Sequence, residues 1–251
     1  MDLAANLTAI CNPDSSALVL APHPDDFDCI AATMELLRDA GIPIELVVLT
    51  GAASGVDDDF CTPNTARRKA AVREAEQRES CRLFGLPDDR LRFLYLQEDK
   101  DGHPIDNPEN AAKINASWMR ASPSAVFMPH PDDSNAGHRR VHRMFASVVA
   151  SSGGSATVFL NEDPKTRGMR MTTAYTPFGE DVARRKAKLL RCHRSQQVRN
   201  LQSRGYGLDQ RILEVNRRAA KRLGLGAPYA EAFEIERWRN GRLESADLHT
   251  H

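Results

Sequence analysis

The run Ala21-Pro22-His23-Pro24-Asp25-Asp26 places one imidazole and two carboxylates within four residues, directly behind an apolar run at 17–20. A short Val/Leu-rich run bounded by Pro reads as a buried strand. Pro22 and Pro24 then stop ladder pairing, so the polar cluster sits in the loop that follows. In an open α/β sheet that loop is where ligands bind. One nitrogen and two oxygen donors suit zinc, and a catalytic zinc site takes three protein ligands and keeps a fourth position open. If one carboxylate is held back as a base, the loop supplies two ligands and the third lies elsewhere. The alternative use of Asp25 and Asp26 is to cap the next helix, a common role for Asp.

The best region for a third ligand is 129–142, which holds His130, Asp132, Asp133, His138 and His142 behind a second apolar run at 125–128. Two polar loops at the ends of two strands of one parallel sheet face the same crevice. Spacing alone leaves open which histidine binds metal, and whether Asp25 or Asp26 does.

Strands expected at 17–21, 44–50, 91–96, 125–128, 157–160 and 169–175 alternate with helices near 28–40, 66–85, 110–120 and one after His138. Repeated strand-helix-strand units imply a parallel sheet with right-handed crossovers. The expected fold is therefore α/β, a Rossmann-like, mostly parallel sheet flanked by helices. The last third reads as helical, with helices at 181–199 and 208–222 covering the sheet and the cleft. A length of 251 residues and 41% hydrophobic content fill one core, so 1–251 is read as a single domain.

With 34 basic and 34 acidic residues the formal charge is zero, so no global field draws in nucleic acid or an anionic membrane. Arg is dense from 184 to 222, which reads as a solvated helix face; the functional alternative is a surface for an anionic or polyhydroxylated substrate. No apolar run approaches the roughly 18 residues of a membrane span, and the N-terminus lacks a basic stretch before an apolar core. A cytoplasmic chain without an integral membrane segment is expected. Cysteines at 11, 29, 61, 81 and 192 form no CxxC pair, which argues against a disulfide framework and a thiolate zinc site. Cys29 and Cys81 read as packing residues. Cys192 is a poor nucleophile for His193, because adjacent helical residues point apart.

The His23-Pro24-Asp25-Asp26 run resembles the first motif of the LmbE-like and PIG-L-type zinc de-N-acetylases, a His-Pro-Asp-Asp followed by Glu. Their second motif, Asp-x-His-Pro-Asp-His, is matched at 133–138 by its first Asp and last His only. Further resemblance lies in Arg73-Glu74-Ala75-Glu76 leading to Phe84-Gly85, in His193-Arg194-Ser195-Gln196 and in Tyr229-Ala230-Glu231-Ala232-Phe233. It spans most of the chain, in order. The resemblance implies zinc held by His23, Asp26 and His138, with Asp25 as general base and Arg73 as a substrate-binding residue. It implies deacetylation of an N-acyl amino sugar, such as an N-acetylglucosamine conjugate, a small-molecule partner compatible with a homo-oligomer.

Three departures bear on that expectation. Phe27 replaces the family's Glu, with Asp28 one residue late. Asn135 replaces the histidine that stabilises the oxyanion, and Gly137 replaces the Asp that orients it. Loss of such a donor costs about 3 to 4 kcal/mol unless another group substitutes. Asn135 itself offers a neutral donor. His193 is the first candidate to compensate, ahead of His130, with His142 also in reach. The alternatives to a sugar deacetylase are a catalytically weak relative that keeps the metal and binds a sugar or other ligand, and an amidase for a non-sugar amide. A nucleotide-binding Rossmann enzyme is disfavoured, because no GxGxxG follows the first strand.

Overall fold

Eight strands form one sheet in the computed structural model, which describes residues 15–169, 172 and 174–244. Five run parallel in the order β3-β2-β1-β4-β5: β1 (Ala17–Ala21), β2 (Ile44–Val48), β3 (Leu91–Phe93), β4 (Ala125–Pro129) and β5 (Ala156–Asn161). β7 (Tyr229–Arg239) adds antiparallel to β5, and β6 (Ala174–Phe178) and β8 (Arg242–Glu244) pair antiparallel with β7. Every residue of β1, β2 and β4 is buried, as strands covered on both faces require.

Among the described residues seven α-helices cover the sheet: α1 (Ala31–Asp39), α2 (Ala66–Phe84), α3 (Pro108–Ala121), α4 (Ala136–Ser152), α5 (Glu180–Cys192), α6 (Arg194–Arg204) and α7 (Leu208–Arg222). On one face Val19, Leu46, Phe127, Phe159 and Phe233 pack with Met34, Cys81 and Leu189. On the other, Leu18, Val47, Val126 and Val158 pack with Ile114, Trp118, Val141 and Phe145 of α3 and α4. The chain runs outward from β1 to β3 and then returns to the opposite side of β1 for β4. This switch opens a crevice beyond the C-terminal ends of β1 and β4, where both His-rich loops emerge.

A buried ion pair ties the antiparallel edge to the loop after β1. Glu231 of β7 accepts hydrogen bonds from the backbone N–H of Ala32 and Thr33 at 2.9 and 2.8 Å, and so caps α1. Lys186 of α5 lies 2.5 Å from Glu231 and also donates to the Cys29 carbonyl and to Asn216.

The expected fold class is the observed one, and the strand at 17–21 and the helix at 208–222 lie where the sequence places them. β3 stops at Phe93 because Tyr95 takes a left-handed φ of 47°. α4 begins at Ala136, so His138 lies in its first turn and not before it. The helix expected over 181–199 breaks at His193, whose ψ of 64° leaves the helical region. β7 was missed altogether. Its alanines and glutamates favour helix on intrinsic preference, and only tertiary pairing with β5 and β6 makes it a strand. The strand expected at 169–175 lies at 174–178, and residues 170, 171 and 173 of that stretch, like Cys11, lie outside the described residues. Among the described residues no helix is long and apolar enough to cross a membrane.

Candidate active site

In the loop after β1 the two adjacent carboxylates point to different partners. Asp26 is buried, and its Oδ2 accepts from the His23 backbone N–H at 2.8 Å, folding the loop back on itself. Asp25 has φ 107°, a conformation a residue with a Cβ adopts only when its surroundings impose it. α2 imposes it. The Asp25 N–H donates to Gln77 Oε1 at 2.9 Å, while Arg73 lies 3.2 Å from Asp25 Oδ1 and donates to the Pro24 carbonyl. Arg73, Glu76, Gln77 and Ser80 share one helix face by their spacing, and all four are buried.

Behind that stripe lies Asp28, fully buried. It accepts from Ser80 Oγ at 2.6 Å and from His193 Nε2 at 2.5 Å, and Gln77 Nε2 lies at 3.4 Å. The late carboxylate thus supports the backbone of Asp25 through Gln77. Glu76 accepts from the Ser195 N–H and hydroxyl, both at 2.7 Å, which fixes the start of α6.

The loop after β4 is tied by its backbone to the segment after β5, with the Ser134 N–H donating to the Lys165 carbonyl at 3.0 Å and the Arg167 N–H to the Asp132 carbonyl at 2.8 Å, and its own side chains order it further. Asp133, fully buried, accepts from the Asn135 N–H at 2.6 Å and from His138 Nδ1 at 3.1 Å. Asn135 is the N-cap of α4, its Oδ1 accepting from the Gly137 N–H at 2.8 Å. A Cβ at Gly137 would stand 3.1 Å from His23 Nε2, so the backbone here approaches the imidazole too closely for a side chain to fit without displacing it. With Nδ1 held by Asp133, His138 presents Nε2 to Asp26 Oδ1 at 3.7 Å.

Donor atoms of His23, Asp26 and His138 lie within 4.8 Å of one another. Burial raises the pKa of Asp26, but His138 and His23 outweigh it and bring the value to about 2. Burial lowers that of His138, but Asp26 and the bond to Asp133 outweigh it and raise it to about 9. Two imidazoles and a carboxylate, one imidazole oriented by a buried second carboxylate, fit the donor chemistry of a three-ligand zinc site. Asp163 borders the same cluster; burial, partly offset by His138, raises its pKa.

The cleft over these residues has a volume of about 320 Å³, and His23, Asp25, Asp26, Arg73, Asn135 and His138 are among its lining residues. α6 and α7 form a wall with Gln196, Arg199, Asn200 and Arg211, which accords with a C-terminal helical cover. Neither His193 nor His130 lines it. His193 is fully buried against Asp28, and His130 accepts from the Asp132 N–H through Nδ1 and meets Glu234 through Nε2 at 3.3 Å. The expectation that one of them faces the reaction centre is corrected on that ground. His142 is turned away too, 3.0 Å from Glu236. Arg73 is no solvated ion-pair residue, being 2% exposed, and its Nε and Nη1 have no hydrogen-bond partner. Burial, with Glu79 adding to it, pushes the Cys192 thiol up to about 11, which removes it as a nucleophile at neutral pH.

Sequence reasoning missed His103, Asp163 and Lys165, which also line the cleft. His103 sits in a turn far from either motif, and its only local signal is the preceding Asp101-Gly102 pair. Burial, then the neighbouring His23, lowers its pKa.

A family model described as PIG-L: GlcNAc-PI de-N-acetylase matches residues 18–149, just over half of the chain and both loops. Among solved structures, the N,N'-diacetylchitobiose deacetylase of Pyrococcus horikoshii is 22% identical, covering 95% of this chain and 90% of its own, with TM-score 0.73. A conserved protein of Thermus thermophilus is 22% identical over 87% of this chain and 93% of its own, with TM-score 0.67. GalB, the 4-carboxy-2-hydroxymuconate hydratase of Pseudomonas putida, is 16% identical over 88% and 95%, with TM-score 0.69. These likenesses establish the fold, and the presence of a hydratase among them means that the reaction must be argued from the site. No curated protein matches the chain.

Proposed function

The chain belongs to the PIG-L family of de-N-acetylases, and on that premise we propose that it is a zinc-dependent hydrolase removing an N-acyl group, N-acetyl first of all, from an amino sugar or its conjugate. One observation carries the reading: His23, Asp26 and His138 converge while Asp25, beside them, is turned to Arg73. Binding alone has no use for a second carboxylate held in a strained backbone next to the ligand set. The whole chain is taken as one deacetylase domain, because residues from α2, α4, α6 and α7 share the cleft with the two loops.

His23, Asp26 and His138 would hold the zinc, with His138 fixed by Asp133. Zinc there would polarise an amide carbonyl and bring the pKa of water to about 7. Asp25 accepts the proton of the attacking water and returns it to the departing amine, the two proton transfers that amide hydrolysis needs. Arg73 keeps the Asp25 carboxylate in place and, as a residue lining the cleft, would contact the substrate. Asn135 uses Oδ1 for its cap, which leaves the Nδ2 donor for the substrate.

A second reading, a metal-retaining relative that binds sugars with little turnover, is favoured by the Asn135 and Gly137 substitutions. Acetate release from a panel of N-acetyl amino sugars, N-acetylglucosamine and its disaccharide included, separates the two. Wild type is expected to release acetate. Asp25→Asn should retain zinc and lose turnover by about 10²- to 10⁴-fold, as for a general acid-base residue. Sugar binding without acetate release would support the second reading, and unchanged turnover in Asp25→Asn would remove it as the base.

A further inference from the structure

We infer that His103, from the loop after β3, is the imidazole that donates a hydrogen bond to the carbonyl oxygen of the scissile amide in place of the histidine missing at position 135. The inference rests on the deacetylase reading and assigns a catalytic residue that neither motif contains.

Six of the histidines lie among the described residues. His23 and His138 belong to the ligand cluster, and His130, His142 and His193 are each engaged by a carboxylate away from the cleft. His103 alone of the rest lines the cleft, together with His23, Asp25 and Asn135. Its Nδ1 is shielded from solvent, so the nitrogen that can reach a substrate is Nε2, which makes no hydrogen bond within the described residues.

The turn that presents it is built. Asp99 Oδ1 accepts from the backbone N–H of Asp101 at 2.9 Å and of His103 at 3.0 Å, and the Asp99 N–H donates to the His103 carbonyl at 2.8 Å. Gly102 has φ 79°, and a Cβ there would come within 2.2 Å of Ser54 Oγ, so the turn is packed against the cleft wall with no room for a side chain. Arg140 clamps the turn from α4, donating to Asp99 Oδ2 at 2.6 Å and to the Pro104 carbonyl at 3.2 Å. Arg140 lies two residues beyond His138. One helix therefore sets both the ligand and, through Asp99, the imidazole. A donor must be held in place before charge develops on the substrate oxygen, and this clamp supplies that rigidity.

The test is kcat and KM of wild type, His103→Ala and His103→Gln on the N-acetyl amino sugar that is turned over best, with zinc content measured on each sample. His103→Ala should lower kcat by about 10²-fold or more with KM changed only a few-fold, the signature of an interaction made in the transition state. His103→Gln, which keeps an N–H donor, should recover at least tenfold of that loss. On the zinc-loaded proteins, methylphosphonate, a tetrahedral anion, should bind more weakly to His103→Ala than to wild type by calorimetry. Full kcat in His103→Ala overturns the inference and leaves the deacetylase reading intact. A fall in kcat with unchanged methylphosphonate affinity, or one that His103→Gln fails to relieve at equal zinc content, also overturns it. Wild type that hydrolyses no member of the panel overturns both.

Discussion

In the loop after β1 the Asp25 backbone and the Asp28 side chain bond to distant elements, whereas in the loop after β4 the side chains of Asp133 and Asn135 bond within the loop and the first turn of α4, while its backbone is tied to residues 161–167. Asp25 is bonded to Gln77, 52 residues on, and Asp28 to His193, 165 residues on. Asp133 and Asn135 close onto groups two to five residues away. The first loop carries Asp25, the proposed base, in a backbone conformation it would not choose, so rigidity must be imported from α2 and the start of α6. The second loop carries His138, the proposed ligand, on an ordinary helical turn, oriented by a capping residue and one buried carboxylate and braced by backbone bonds to Lys165 and Arg167. The contrast assigns different consequences to damage on the two sides.

The largest effect is expected behind the first loop. Asp28→Ala leaves His193, Ser80 and Gln77 without their shared acceptor in a fully buried site, and should lower folding stability by about 3–5 kcal/mol, the range for removing one partner of a buried pair. Urea denaturation measures it. Behind the second loop, Asp133→Ala should act chiefly on the metal, weakening zinc affinity by about 10- to 100-fold as loss of an orienting carboxylate does. A chelator competition titration reads that change. Should Asp133→Ala destabilise the fold as much as Asp28→Ala, the contrast between the loops breaks.

A third prediction sharpens the ligand side. Without metal, His138 at about 9 and Asp26 at about 2 form a charged pair. The raised pKa of His138 stabilises the metal-free fold fully below its ordinary 6.5, and that contribution is lost as pH rises through about 9. The depressed pKa of Asp26 contributes above its ordinary 3.8, and is lost as pH falls through about 2. Zinc requires the neutral imidazole, so binding expels the His138 proton, and affinity should climb by about tenfold per pH unit below 9 before flattening. An affinity independent of pH between 7 and 9 would mean that His138 gives up no proton on zinc binding in that range, against the charged pair.

Much of this was legible in the residues because its causes are local. Apolar runs ending in Pro marked β1 and β4, and the His-Pro-Asp-Asp run marked the site, since strand ends and donor types are properties of short stretches. The roles of His193 and His130 were not legible. Each sits in a suggestive local context, yet its direction is set by a carboxylate far off in the chain, Asp28 and Glu234. Arg73, Glu76, Gln77 and Ser80 carried a readable helical spacing, but a polar stripe on a charged helix reads as solvated until the fold shows what lies against it. His103 had no readable signal beyond a turn, because its place in the cleft depends on the Asp99–Arg140 pair between two elements.

Metal content measured side by side on wild type, His138→Ala and His142→Ala tests the central claim, that the two loops close on one ion through His138. Wild type and His142→Ala should each hold about one zinc per chain, as a three-ligand site does, and His138→Ala should hold none. Zinc retained by His138→Ala, or lost by His142→Ala alone, would contradict the account.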